Sequence, residues 1–294
     1  MIGLDHFVWF PVEGSGYQET ASGSSKKINP KHFKSWFKEF LPVFLSHSQE
    51  EAYLIFNKSQ SPFLLLTRIG YTEDEIGRDA PMHHSAVVHK KLLEEEKLSL
   101  FDVRDSLAEF DKKHQRVEGE LERLKVPEKE SQDFAYKDEL KTLLTPAAVK
   151  SLTYRLLKSK RNRVILRCEG SKETERFKIA AYLVKLLSID FDIRAASVTT
   201  IRPRDKYCNL FDLAVTEKTF TPPRHTENWS YVEWDLDEFE KGKPKDKKLK
   251  KAFERIDQDF IYDIGEYIED SDSPIKDTSE TDRGSQEDQK KLKK

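Results

Sequence analysis

The segment Phe63–His89 constrains the fold most tightly, because two apolar runs, Phe63–Leu66 and Ser85–Val88, flank a polar stretch that ends in adjacent histidines. Short apolar runs bounded by turn residues read as strands. Between them, Arg68, Gly77, Arg78 and Asp79 read as a polar loop feeding a strand that opens with His83 and His84. A charge buried beside a β-run without a partner costs on the order of several kcal/mol, so such groups are solvated, paired or bound to a ligand. The loop is therefore the first place to expect a site.

The histidines invite a metal reading that strand geometry opposes. Neighbouring strand residues point to opposite faces, so His83 and His84 cannot share one ion. His83 and His89 share a face but stand roughly 20 Å apart at about 3.3 Å per residue. No metal and no cofactor is expected. Two assignments stay open: a half-buried, hydrogen-bonded histidine with Arg78 paired to Asp79 or Asp74, or Arg78 as an anion clamp with His83 or His84 as general acid/base.

Phe7–Val12 reads as a first strand, followed by a Gly/Ser-rich loop, Glu13–Lys27, in which Gly14 and Gly16 permit unusual backbone angles. It is no dinucleotide fingerprint, because Glu19 stands where the third small residue belongs, and no Gly-Lys-Ser/Thr of a P-loop follows. Asn29 and Pro30 cap and start a helix whose stripe is Phe33, Trp36, Phe37, Phe40, Leu41 and Phe44, with Pro42 ending it near Leu41. Ala52–Phe56 alternates as a further strand. Ser99 and Asp102 form a capping box for a helix with Val103, Leu107, Phe110, His114, Val117, Leu121 and Leu124 at heptad spacing. So narrow a seam is expected to lie along one partner helix, in this chain or another.

After Pro127 and a polar linker, Thr145 and Pro146 start a helix to Lys158. Strand Arg163–Cys168, helix Ser171–Leu187 and strands Arg194–Ile201 and Cys208–Thr216 follow. The expected class is α/β (α+β): two small layered mixed-sheet domains, 1–98 and 145–240, joined by the heptad helix and linker of 99–144. Residues 241–294 are expected to form a charged helix and a disordered tail, since positions 268–294 carry only Ile268, Ile275 and Leu292 as aliphatic residues.

With 51 basic and 53 acidic residues the net charge is −2, which excludes a global field drawing the chain onto nucleic acid or membrane. Basic clusters at Lys158–Arg163 and Lys245–Lys251 lack interleaved aromatic residues. Two cysteines, Cys168 and Cys208, without C-x-x-C spacing fit buried thiols in a reducing cytoplasm. No apolar run approaches a membrane span, and a cytoplasmic location is expected.

The chain resembles the N-terminal and middle regions of the type 1 GTPase-associated protein family of prokaryotic conflict and signalling operons. The carrying residues are Gly14, Gly16, Tyr17, Gln18 and Ser22 after the opening strand, Gly77, Arg78 and His84 before a Val-rich strand, and the middle order ending in Leu186, Leu187, Arg194 and Ser197. The resemblance implies a non-enzymatic adaptor or platform that works with a small GTPase or another operon-encoded protein. Its binding residues would be Gly14, Gly16, Tyr17, Gln18, Arg68, Gly77, Arg78, Asp79 and His84. The alternative is a hydrolase or nuclease-like enzyme acting on a phosphate-containing substrate through Arg78 and His83 or His84.

Overall fold

In the computed structural model, the described residues are 1–12, 16–24, 51–73, 79–114, 118–128, 140–158, 163–168, 172–192, 196–200, 211–220, 229–236, 239 and 246–260. The expected helix of 29–41 and the expected tail of 268–294 lie outside them. The strands are β1 (Ile2–Val12), β2 (Gly16–Gly23), β3 (Ala52–Asn57), β4 (Phe63–Glu73), β5 (Asp79–His89), β6 (Gly119–Glu120), β7 (Leu124–Val126), β8 (Val164–Cys168), β9 (Val198–Thr199), β10 (Leu213–Glu217) and β11 (Ser230–Glu233). The helices are α1 (Lys90–Glu94), α2 (Leu100–Lys113), α3 (Pro146–Lys158), α4 (Glu173–Val184), which continues as a π-turn over Lys185–Asp190, and α5 (Lys247–Asp259).

All eleven strands join one mixed sheet in the order β11-β8-β10-β9-β3-β4-β5-β1-β2-β6, with β7 on β1. Residues 1–98 supply an antiparallel end, β3-β4-β5-β1-β2, and residues 145–240 a parallel end, β11-β8-β10-β9. The central parallel strands β8 and β10 are apolar and almost wholly buried, as strands covered on both faces must be. The ends meet where Leu54 and Ile55 pair with Thr199 and Val198. Only two residues of β9 form this ladder, and hydroxyls extend it. The Tyr53 amide donates to Thr200 Oγ1, the Thr200 amide donates to the Tyr53 carbonyl, and Ser197 Oγ accepts from the Asn57 amide while donating to the Asn57 carbonyl. Polar backbone at a buried seam is thus satisfied without a long strand.

Local signals explain where the helices start. Ser99 Oγ accepts from the amides of Phe101 and Asp102, and Thr145 Oγ1 accepts from Ala148 while donating to the Leu236 carbonyl. α2 does not extend through the heptad pattern to Leu124. It stops at Lys113, with His114 as C-cap. Gly119 then adopts φ +90°, and Leu124–Val126 forms a strand with buried, exposed and buried residues in turn. A two-residue period over Leu124–Val126 defeats the helical one because β1 offers an open ladder opposite Ile2–Leu4. The buried stripe of α2 is Leu100, Val103, Leu107 and Asp111, not Phe110 and His114. Its partner is the sheet.

Ser230–Glu233 adds a further strand beside β8, and Trp229 covers Ile165 and Ala214 on one sheet face. α5 lays Leu249, Phe253 and Ile256 into the main core, and Lys150 of α3 pairs with Asp257. Cys168 is a buried free thiol whose Sγ donates to the Thr216 carbonyl.

Leu107 is fully buried against this sheet, whereas Glu109 and its partner Lys113 face solvent. Leu107→Ala should lower unfolding free energy in urea by about 2–5 kcal/mol. Glu109→Ala should change it by less than about 0.5 kcal/mol.

Candidate functional site

The described residues of Arg68–His89 form two long paired strands rather than a loop feeding a short one. β4 and β5 pair from Phe63↔His89 to Glu73↔Asp79, so Arg68, His83 and His84 all lie within the sheet. The expectation failed because Ile69, Tyr71, Ala80 and Met82 continue the strands through residues that look polar in aggregate.

Register sends the two histidines to opposite faces. His83 stands across from Trp9 and Ile69, which belong to an apolar cluster with Phe7, Leu65 and Val87. His84 stands across from Val8 and Arg68, on the face that α2 covers. Both are fully buried.

His84 occupies the middle of a chain of polar groups. Its Nδ1 donates to Asp111 Oδ1 at 2.7 Å, and its Nε2 meets His6 Nδ1 at 2.7 Å. His6 Nε2 donates in turn to the carbonyl of Glu122 at 2.7 Å. At the other end Arg68 donates to Asp111 Oδ2 and, through Nε at 2.8 Å, to Glu51, which also accepts from the Tyr53 hydroxyl. Five elements or connections therefore converge: β1 with His6, β3 with Tyr53, β4 with Arg68, β5 with His84, and α2 with Asp111.

The electrostatics follow from burial and pairing. Burial works against the Arg68 charge, but Asp111 and Glu51 outweigh it and leave the guanidinium's proton bound more tightly than usual. Burial, reinforced by Glu51, pushes the Tyr53 hydroxyl above its ordinary range. Burial and then the neighbouring His84 lower the His6 pKa from 6.5 to about 4. His6 is therefore neutral near pH 7. Since its Nε2 carries the hydrogen given to a carbonyl, its Nδ1 accepts.

The phenyl ring of Phe110 lies 5.2 Å from the His6 ring and 5.0 Å from the His84 ring, while His114 stacks on it at 4.3 Å. An open groove of about 530 Å³ is bordered by Met1, Glu109, Phe110, His114, Glu122 and Arg123, among others. Phe110 thus stands between this groove and the histidine pair. The groove's other wall, residues 121–125, belongs to a segment, 121–126, that is tied down at several points. Leu121 donates to the Ser22 carbonyl, Arg123 pairs with the fully buried Asp5 at 2.8 Å, and Leu124–Val126 pairs with β1. Gly23 is obligatory at this junction, because a Cβ there would sit 2.3 Å from the Glu122 carbonyl oxygen and 2.5 Å from His6 Nε2.

The residues read from sequence separate into two groups. Arg68 and His84 join in the buried chain. Gly16, Tyr17 and Gln18 begin β2 opposite Val12, Pro11 and Phe10, and Asp79 begins β5 opposite Glu73. Because β1 and β5 also pair, Trp9 with His83, these two hairpin ends stand side by side at one end of the sheet. Gly14, Gly77 and Arg78 lie outside the described residues. His6, Asp111, Glu51 and Tyr53 escaped sequence reasoning. The signals were Asp5-His6 inside an apolar strand and an aspartate four residues after Leu107.

Fold and site define a mixed α/β protein whose antiparallel half is built around a buried ionic and hydrogen-bonded chain. Among the described residues, no group of three or more His, Cys, Asp or Glu side chains is arranged to hold a metal ion, and no helix is long and apolar enough to cross a membrane. No protein-family model and no curated protein matches the chain. Among solved structures, it is similar to the K. lactis Lst4 longin domain, with 14% sequence identity and a TM-score of 0.24, over 43% of this chain and 83% of that one. An overlay at that score assigns neither fold nor function here.

Asp111→Ala would strand both Arg68 and His84 in the interior, and should cost about 3–5 kcal/mol of unfolding free energy. Chemical denaturation at pH 7 checks this. A depressed histidine pKa also has a pH signature. The unfolded state binds the His6 proton between pH 6.5 and about 4 while the folded state refuses it. The stabilisation is complete above pH 6.5 and is lost as pH falls towards 4, by about 3 kcal/mol in all. The stability difference between wild type and His6→Leu should shrink by that order across the window.

Proposed function

We propose that the chain is a non-enzymatic adaptor that binds a partner protein, and that the partner is a small GTPase or another component of a prokaryotic conflict or signalling system. One observation carries the reading over the enzymatic alternative. The histidines that would perform acid/base chemistry are fully buried on opposite faces of a sheet, with His84 committed to Asp111 and His6. A general acid or base must come within hydrogen-bonding reach of its substrate. His84 instead serves the fold. The class of partner rests on the resemblance to the GTPase-associated family; the location of the contact rests on the paired hairpin ends at Val12/Gly16 and Glu73/Asp79.

Loops at the end of a rigid sheet vary without disturbing the core beneath them, which suits a recognition face. Gly14, Gly16, Tyr17, Gln18, Gly77, Arg78 and Asp79 form the proposed face, and Arg78 is its proposed anchor. A guanidinium grips a carboxylate with two parallel bonds, and lysine cannot reproduce that.

Affinity purification with mass spectrometry identifies the partner, and titration calorimetry then compares wild type with Arg78→Lys. The variant should bind about 5- to 150-fold more weakly, equivalent to about 1–3 kcal/mol, with an unchanged melting temperature. Unaltered binding by the folded variant removes Arg78 from the face. Turnover of a phosphoester that is abolished by His84→Ala in a folded protein would restore the enzymatic reading.

A further inference from the structure

The buried chain contains more hydrogen bonds than two neutral imidazoles can supply. Three bonds run in series: Asp111 to His84, His84 to His6, and His6 to the Glu122 carbonyl. Both ends of the series accept. The Glu122 carbonyl has no hydrogen to give, and Asp111 accepts at its two oxygens, from His84 and from Arg68. Three bonds between four ring nitrogens therefore require three N–H hydrogens, whereas two neutral rings carry two. Satisfying all three takes one proton more than two neutral rings carry.

We propose that the His6–His84 pair is a one-proton latch that fastens the strap of residues 121–126 to β1 and β2, and that losing the proton unfastens it. With two hydrogens left, one bond of the three must go. His84 Nδ1–H stays on Asp111, which Arg68 also anchors. The bond between the rings survives if His6 turns its remaining hydrogen to Nδ1. His6 Nε2 then presents a lone pair to the Glu122 carbonyl oxygen at a separation where two acceptors repel. The cost falls on the strap. Adding a proton has a different effect, since it sets two N–H groups against each other between the rings and leaves the strap bond in place.

Every element packed around the pair contributes to its field. Asp5 stands beside His6 on β1, Arg68 approaches from β4, Asp111 and the Phe110–His114 stack come from α2, and Arg123 comes from the strap paired to Asp5. The strap and Phe110 are also two walls of the 530 Å³ groove. Occupancy of the groove and proton binding are therefore linked, and a ligand favouring one strap position must shift the proton equilibrium reciprocally.

Ring nitrogen-15 NMR of the full chain from pH 5 to 10, paired with hydrogen exchange of the backbone amides, tests the latch. In the fastened state three of the four ring nitrogens should carry hydrogen, with His6 carrying it at Nε2. As the pair loses its extra proton, the His6 hydrogen should move to Nδ1. The amides of 121–126, corrected for intrinsic exchange, should then lose roughly 3- to 10-fold of their protection, the effect of about one hydrogen bond. Amides of β8 and β10 should not follow. In His6→Phe, whose folding is checked by protection at β8 and β10, strap protection should be low and independent of pH. Only two hydrogens on the four ring nitrogens across the whole range overturn the proposal, as does strap protection that does not follow the loss of the third. A folded His6→Phe protein with the wild-type pH profile overturns it too. The first of these measurements needs only wild-type protein.

Discussion

Asp111 carries the antiparallel half of the molecule. Its carboxylate is the common acceptor of Arg68 and His84, so a helix laid across the sheet is fixed in position by charge as well as by apolar contact. Leu100, Val103 and Leu107 would hold α2 to the same face through non-directional burial. The aspartate adds direction, because its two oxygens must meet donors on two different strands. A helix slid by one turn would strand three buried polar groups. Ion pairs of this kind add little net stability over apolar substitutes, but they penalise alternative arrangements heavily.

The same chain explains why polar residues interrupt otherwise apolar strands. His6 in β1, Arg68 in β4 and His84 in β5 share the face that α2 covers and are bonded there, while Asp5, on the other face of β1, is met by Arg123 from the strap. Where the strands face the opposite side, Phe7, Trp9, Leu65 and Val87 form an apolar cluster. The alternation of the sheet thus separates a polar mechanism from a conventional core within one or two residues of sequence.

Much of the architecture was legible where the signal is local. Ser99 and Thr145 mark helix starts through their own side chains, and Val164–Cys168 reads as a buried strand from composition alone. The failures have one cause. Leu121 and Leu124 continue a heptad on paper, and only the open ladder on β1 makes that stretch a strand. Arg68 looks like a loop residue, and the histidines like the opening of a short strand, until β4 and β5 are known to run eleven residues each. The site depended on pairings between residues 78 and 116 positions apart, for which a single sequence carries no period or spacing.

The junction between β3 and β9 has a further consequence. Ala52–Asn57 is an apolar strand buried along its whole length, and left at the margin of a sheet it would recruit foreign strands. The parallel half shields it with two paired residues and two hydroxyl side chains. Each half thereby acts as the other's guard against self-association. Ser197 and Thr200, modest contributors to the energy of the native state, stand where an incomplete chain emerging during synthesis would be most adhesive.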